Sequence, residues 1–199
     1  MKTPPKTETL TGELKLHATL LGGTLFVMWV LEIADLLLFG GGLDAYGIRP
    51  RTAEGLSGIL FAPFLHGGFV HLASNSIPFL VLGSLVLFHE IKDFVVTTAL
   101  AVLVGGLGAW LLGGAHTVHI GASGLVFGYF GYLLLRGYFR RSVGAVALSL
   151  VLAVFYGWML FGLLPFQPGA VSWQGHLFGF LGGALSACLL RSSDETPRR

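Results

Sequence analysis

The chain has 199 residues, of which 54% are hydrophobic and only 11% charged, with a formal net charge of +2. A soluble domain carries roughly 25% charged residues, so a chain this apolar, with a mean hydropathy of +0.78, reads as a polytopic membrane protein. The small net charge and the lack of a basic stripe argue against nucleic acid as a partner. The single cysteine, Cys188, excludes an internal disulfide and reads as inert packing in an apolar run.

Residues 1–15 are polar and include Pro4 and Pro5; they read as a disordered tail. They do not read as a cleavable signal peptide, because the polar lead is long and the next apolar run is of spanning length. The first predicted span covers 17–39 and is interrupted by Glu32 and Asp35, which read as structural partners in the bundle or toward the outer loop. Residues 40–69 are too broken by Gly, Pro and charge to span, yet apolar enough to lie on or dip into a membrane. Further spans are predicted at 70–88, 94–113, 119–136, 143–163 and 172–190. The polar hinge 89–93, the Gly113–His116 break, the basic hinge from Arg136 to Ser142 and the turn-rich 164–169 separate them. Residues 191–199 are polar and expected to be disordered. Six helices of about 18–23 residues are each long enough to cross ~30 Å of hydrocarbon at ~1.5 Å per residue. Residues 16–190 read as one membrane domain between the two tails.

Basic residues set the orientation. With the N-terminus inside, the cytoplasmic segments hold Lys2, Lys6, Lys15, Lys92, Arg136, Arg140, Arg141, Arg191, Arg198 and Arg199, and the outside holds only Arg49 and Arg51. That positive-inside bias puts both termini in the cytoplasm. The second, fourth and sixth helices then run from outside to inside. His71 and Asn75 open the second, Ser123 the fourth and His176 the sixth, all at about one depth in the outer leaflet. Polar groups at that depth are costly and usually face the bundle interior or a water-filled cavity. His71 and Asn75 are spaced i, i+4 and share a face. Gly121, Gly124, Gly128 and Gly131 repeat along the fourth helix, and Gly175, Gly179 and Gly183 along the sixth. Such stripes let backbones approach closely, which would bring Ser123 and His176 within hydrogen-bonding reach.

These residues resemble the rhomboid family of intramembrane serine proteases. The match lies in His71-Leu72-x-x-Asn75, in Gly121-x-Ser123-Gly124 and in Gly175-His176-x-x-Gly179-x-x-x-Gly183. Gly47-Ile48-Arg49-Pro50-Arg51 is similar to the family's first loop, although the Trp-Arg pair that many members carry there is absent. The resemblance spans 16–190 and implies a six-transmembrane-helix, all-α bundle with a Ser123–His176 dyad. A serine hydroxyl is a weak nucleophile that needs an adjacent base, and histidine suits that role near neutral pH. Neither Glu32 nor Asp35 lies near a motif, so a dyad rather than a triad is expected. Phe127, one turn after Ser123, is spaced to stack on the imidazole. By the resemblance, His71, the Asn75 amide and the Ser123 N–H stabilise the oxyanion, while Gly121 leaves space beside the nucleophile.

The expected substrate is the transmembrane segment of another membrane protein, met within the lipid bilayer, with no cofactor and no metal. The absence of a transit peptide and the small size favour a prokaryotic plasma membrane, with the site toward its outer face. Other chemistries fit less well. The hydrolase elbow Gly-x-Ser-x-Gly fails at Leu125. His89-Glu90-Ile91-Lys92-Asp93 only approaches a zinc motif. His116 and His119 read as interfacial polar residues, and His66 as a loop residue near the site. A non-catalytic relative that binds client membrane segments is the second reading. A small transporter, the third, lacks an inverted repeat.

Overall fold

The computed structural model describes residues 6–140, 142–166 and 171–191. Among them there is no strand, only one antiparallel bridge between Ile48 and His119. The first rod is continuous: α1 (Lys6–His17), a wide turn at Ala18–Gly22, α2 (Gly23–Ala34) and a second wide turn at Asp35–Phe39. A 3-10 turn (Gly42–Tyr46), α3 (Glu54–Phe61) and another 3-10 turn (Ala62–Phe64) follow. Then come α4 (Phe69–Leu87), α5 (Ile91–Leu112), α6 (Ser123–Arg140), α7 (Val143–Tyr156) with a 3-10 continuation to Leu163, and α8 (Trp173–Leu189).

Among the described residues four stretches are long and apolar enough to cross a membrane: Gly12–Phe39, Phe69–Leu87, Ile91–Leu112 and Val143–Leu163. They make the chain an integral membrane protein of the all-α class. The remaining two rods, α6 and α8, are less apolar because they give helix positions to the glycines, serines and histidine of the motifs. They are also the most enclosed. Tyr129, Tyr132 and Phe130 of α6 are fully buried, together with Leu72, Phe79 and Leu82 of α4.

Backbone-to-backbone packing joins α6 to α8. A Cβ on Gly179 would stand 2.1 Å from the Gly124 carbonyl oxygen, and one on Gly183 1.8 Å from that of Gly128. Third in this group is α5: a Cβ on Gly105 would come within 3.2 Å of Gly179, and one on Gly182 within 2.5 Å of the Leu100 carbonyl. The α6 and α8 stripes are legible as periodic glycine, whereas the α5 glycines only acquire meaning once α8 lies against them.

Three boundaries depart from the sequence reading. Residues 6–15, expected as a disordered tail, are helical, because Thr7-Glu8-Thr9-Leu10 onward holds no breaker strong enough to stop the rod below it. The 40–69 loop contains α3. Its Gly55 and Gly58, which read as breakers, are the residues that let the helix lie on the loop: their Cβ atoms would meet the Arg49 and Gly47 carbonyls at 2.0 and 2.3 Å. The fourth long helix begins at Ser123 rather than 119, because Gly121 has φ of +108° and interrupts any helix before it. The rest of the two expected tails, 1–5 and 192–199, lies outside the described residues.

Candidate active site

The strand-like segment before α6 is held from both sides. Ile48 and His119 exchange backbone hydrogen bonds of 2.9 Å, and Gly121 N–H donates to the Ala62 carbonyl at 2.8 Å. Ala122 N–H donates to His66 Nε2 at 3.3 Å. Accepting at Nε2 puts the His66 proton on Nδ1, and burial lowers its pKa from 6.5 to about 4, with His71 adding to the effect. The ring is therefore neutral at physiological pH. These contacts deliver Ser123 as the first residue of α6.

Across from it, α8 begins at a capped turn: Ser172 Oγ accepts from Gly175 N–H at 3.2 Å. Ser172 Oγ also lies 2.6 Å from His119 Nδ1. On the other side of that ring, Nε2 lies 3.0 Å from Thr117 Oγ1, which donates to the Gly114 carbonyl. A carbonyl only accepts, so the proton order runs from Ser172 O–H to His119 Nδ1 and from His119 Nε2–H to Thr117. Burial lowers the His119 pKa, in keeping with a neutral ring. The loop before α6 is thereby tied to the start of α8.

One turn into α8, His176 reaches across to α6. Its Nε2 lies 2.8 Å from Ser123 Oγ. The imidazole stacks on Phe127, with centroids 4.2 Å apart and planes inclined by 14°. Its Nδ1 lies 3.1 Å from the carbonyl oxygen of Gly162, in the continuation of α7. His71 and Asn75 approach from α4. A Cβ on Gly121 would stand 2.7 Å from His71 Nε2 and 3.6 Å from Asn75 Nδ2, so both side chains lie over that glycine, beside Ser123. His71 Nδ1 accepts from Gly67 N–H at 3.4 Å, which leaves the proton on Nε2 facing the site. The Asn75 amide is held by the His71 carbonyl at 3.1 Å. A crevice of about 40 Å³, bordered by Pro63, His119, Ser123 and Gly175, adjoins the serine; one water needs about 10–15 Å³.

All six residues singled out from sequence thus meet at one place: Ser123, His176, His71, Asn75, Gly121 and Phe127. Four other groups also belong to it. His66 and His119 read from sequence only as loop and interfacial residues, and Ser172 and the Gly162 carbonyl carry no sequence signal. Asp35 accepts from Leu43 N–H at 2.8 Å and braces the loop that follows the first rod. That loop also dispenses with a Trp-Arg pair: Arg51 donates to the Leu111 and Gly113 carbonyls, and Trp110 Nε1–H donates to the Thr52 carbonyl.

Residues 53–193 match the Rhomboid domain. The chain is 42% identical to an uncharacterized protein of Mycobacterium tuberculosis, over 98% of this chain and 85% of that one. It is 28% identical to a Bacillus subtilis protein named "putative rhomboid protease", over 88% of this chain and 87% of that one. A RHOMBOID-like protein of Arabidopsis thaliana is 31% identical over 72% of this chain, a match that covers 36% of the plant protein.

Proposed function

The chain belongs to the rhomboid family, and from that premise we propose that it is an intramembrane serine endopeptidase with Ser123 as nucleophile and His176 as general base. The observation that carries this reading is the 2.8 Å hydrogen bond between Ser123 Oγ and His176 Nε2. His176 takes the hydroxyl proton as Oγ attacks the carbonyl carbon of the scissile peptide, then gives it to the departing amine. Water, activated by the same imidazole, displaces Ser123 from the acyl-enzyme and restores the hydroxyl. The oxyanion forms over Gly121, which the His71 ring and the Asn75 amide overlie, with the first N–H groups of α6 as further donors. Those N–H groups have no partner within the helix, and the α6 dipole favours negative charge there. The crevice beside Ser123 holds the water that hydrolysis consumes.

In this reading all six rods cross the membrane, both termini are cytoplasmic, and the site opens toward the outer face of a bacterial plasma membrane. The substrate is a transmembrane segment of another protein. A peptide bond inside a membrane helix is shielded, so cleavage favours segments with Gly, Ser or Pro near the outer face, where the helix unwinds readily.

The test is cleavage of a tagged single-span substrate by the purified full chain in detergent or lipid. Wild type cleaves with or without EDTA, and Ser123→Ala and His176→Ala do not. Cleavage that persists in Ser123→Ala refutes the assignment. No cleavage across a substrate panel by folded wild type transfers the weight to a binding role for client segments.

A further inference from the structure

We infer that the Gly162 carbonyl is the positioning group for His176, so that the α7 continuation must be seated for the Ser123–His176 pair to work. The inference rests on the peptidase reading above and concerns the control of that same site.

The imidazole must present a bare Nε2 to the serine, which requires its proton on Nδ1. In a triad, a carboxylate on Nδ1 secures that tautomer and orientation. Here the group on Nδ1 is the Gly162 carbonyl, 3.1 Å away. A carbonyl only accepts, so this contact commits the proton to Nδ1 and leaves the Nε2 lone pair for the Ser123 hydroxyl at 2.8 Å. The carbonyl is free for this because Gly162 sits in the last turn of the 3-10 stretch Gly157–Leu163, where carbonyls lack a helical partner.

The residue type supports the same role. A Cβ on Gly162 would stand 2.8 Å from Phe127 Cζ and 3.4 Å from His176 Nδ1. Only glycine lets this backbone approach the stacked pair so closely. Gly162 thus lies against the edge of both stacked rings, and the imidazole's two restraints, Phe127 and the Gly162 carbonyl, come from different helices.

That continuation is weakly held. Only Ala145 and Leu152 of α7 and Met159 of the 3-10 stretch are buried. Val154, Phe155 and Phe161 are 79%, 70% and 69% exposed. A helix with so little of its surface packed is the element most readily displaced. Displacement of this one removes the acceptor from Nδ1, and the imidazole loses both its orientation and its tautomer.

The experiment compares wild type, Gly162→Ala and Gly157→Ala as purified full chains in detergent. Gly157 lies in the same 3-10 stretch, and a Cβ there would meet nothing within 4 Å, so its variant controls for the local change of residue. Three readouts are taken: kcat and KM for a single-span substrate, the rate of Ser123 labelling by a fluorophosphonate, and the 15N signals of the His176 ring, identified by their loss in His176→Gln. Wild type is expected to show the Nδ1-protonated tautomer. Gly162→Ala is expected to lose it, with kcat and labelling falling about 100-fold, the scale of a ~1 Å misplacement, and KM nearly unchanged. Gly157→Ala should match wild type in all three. Equal kcat in the two variants overturns the inference and leaves the peptidase reading intact, whereas an Nε2-protonated ring in wild type overturns the inference and, with it, His176 as the base that faces Ser123. If folded wild type neither cleaves nor labels, the peptidase reading fails, and the wild-type tautomer still decides whether Gly162 holds the ring. The tautomer measurement also stands if Gly162→Ala does not fold.

Discussion

The two sides of the serine are built differently. On one side α5, α6 and α8 meet backbone to backbone, and glycines at 128, 179, 182 and 183 leave no room even for a methyl group. On the other, α7 offers few buried side chains and shows most of its apolar surface outward, where lipid can cover it. Close glycine packing has little tolerance and fixes the spacing between Ser123 and His176. The loosely packed rod can shift without disturbing that spacing. What it does touch, through Gly162 and Phe127, is the orientation of the imidazole. Distance and orientation are thus set by elements of unequal rigidity.

The strongest way to break this comparison is to overfill the tight side. Gly179→Leu puts a branched side chain where 2.1 Å separates a Cβ from the Gly124 carbonyl, so α6 and α8 cannot both keep their places. Folded, monodisperse protein is not expected from this variant in size-exclusion chromatography, and cleavage disappears with it. A folded Gly179→Leu with an intact Ser123–His176 pair would show that the α6–α8 contact is not what sets the spacing.

A gentler form puts the same change on both sides. Gly183→Ala adds one methyl at 1.8 Å from the Gly128 carbonyl, whereas Gly144→Ala, in the first turn of α7, adds it to open space. Overpacking costs about 1–3 kcal/mol, and each kcal/mol moves Tm by about 2–4 °C in a chain of this size. Gly183→Ala should therefore melt several degrees lower. Gly144→Ala should melt at the wild-type temperature or slightly above, since alanine is the better helix former. Equal shifts in the two variants would remove the contrast between the regions.

This contrast is half visible in the sequence. The tight side announces itself, because glycines three and four apart on two helices have a packing meaning and the serine and histidine share their ends. Phe127 is legible for the same reason: it lies one turn from Ser123 on a helix whose period is known. Glycine on α3 misleads, because Gly55 and Gly58 read as breakers until the loop beneath them supplies a reason for missing side chains. The start of α6 misleads because the backbone conformation of Gly121 depends on the hydrogen bonds that Ala62 and His66 make to its neighbourhood. Those partners are far away in sequence and follow no period. The Gly162 carbonyl is the extreme case, since every residue has a carbonyl and nothing in the sequence marks the one that faces a histidine.

A third element sharpens the comparison at smaller amplitude: the loop side, where a hydrogen bond through His66 holds the segment that leads into α6. Burial lowers the His66 pKa from 6.5 to about 4 in the folded chain, with His71 as the ionisable neighbour facing it. Between those values the unfolded chain binds more protons than the folded one, so stability falls as pH drops from about 6.5 toward 4. His66→Gln keeps an acceptor for Ala122 N–H and removes that titration. At pH 7.5 the variant should melt slightly below wild type, because the amide fills the site less well than the ring. The gap should narrow and then reverse as the pH approaches 5, because only wild type then carries the cost of keeping a buried imidazole neutral. Thermal unfolding of the two proteins in matched detergent, from pH 4.5 to 7.5, measures this difference. A gap that stays constant across the range would mean that another group carries the acid sensitivity. The His66–Ala122 bond would then hold the loop without coupling it to pH.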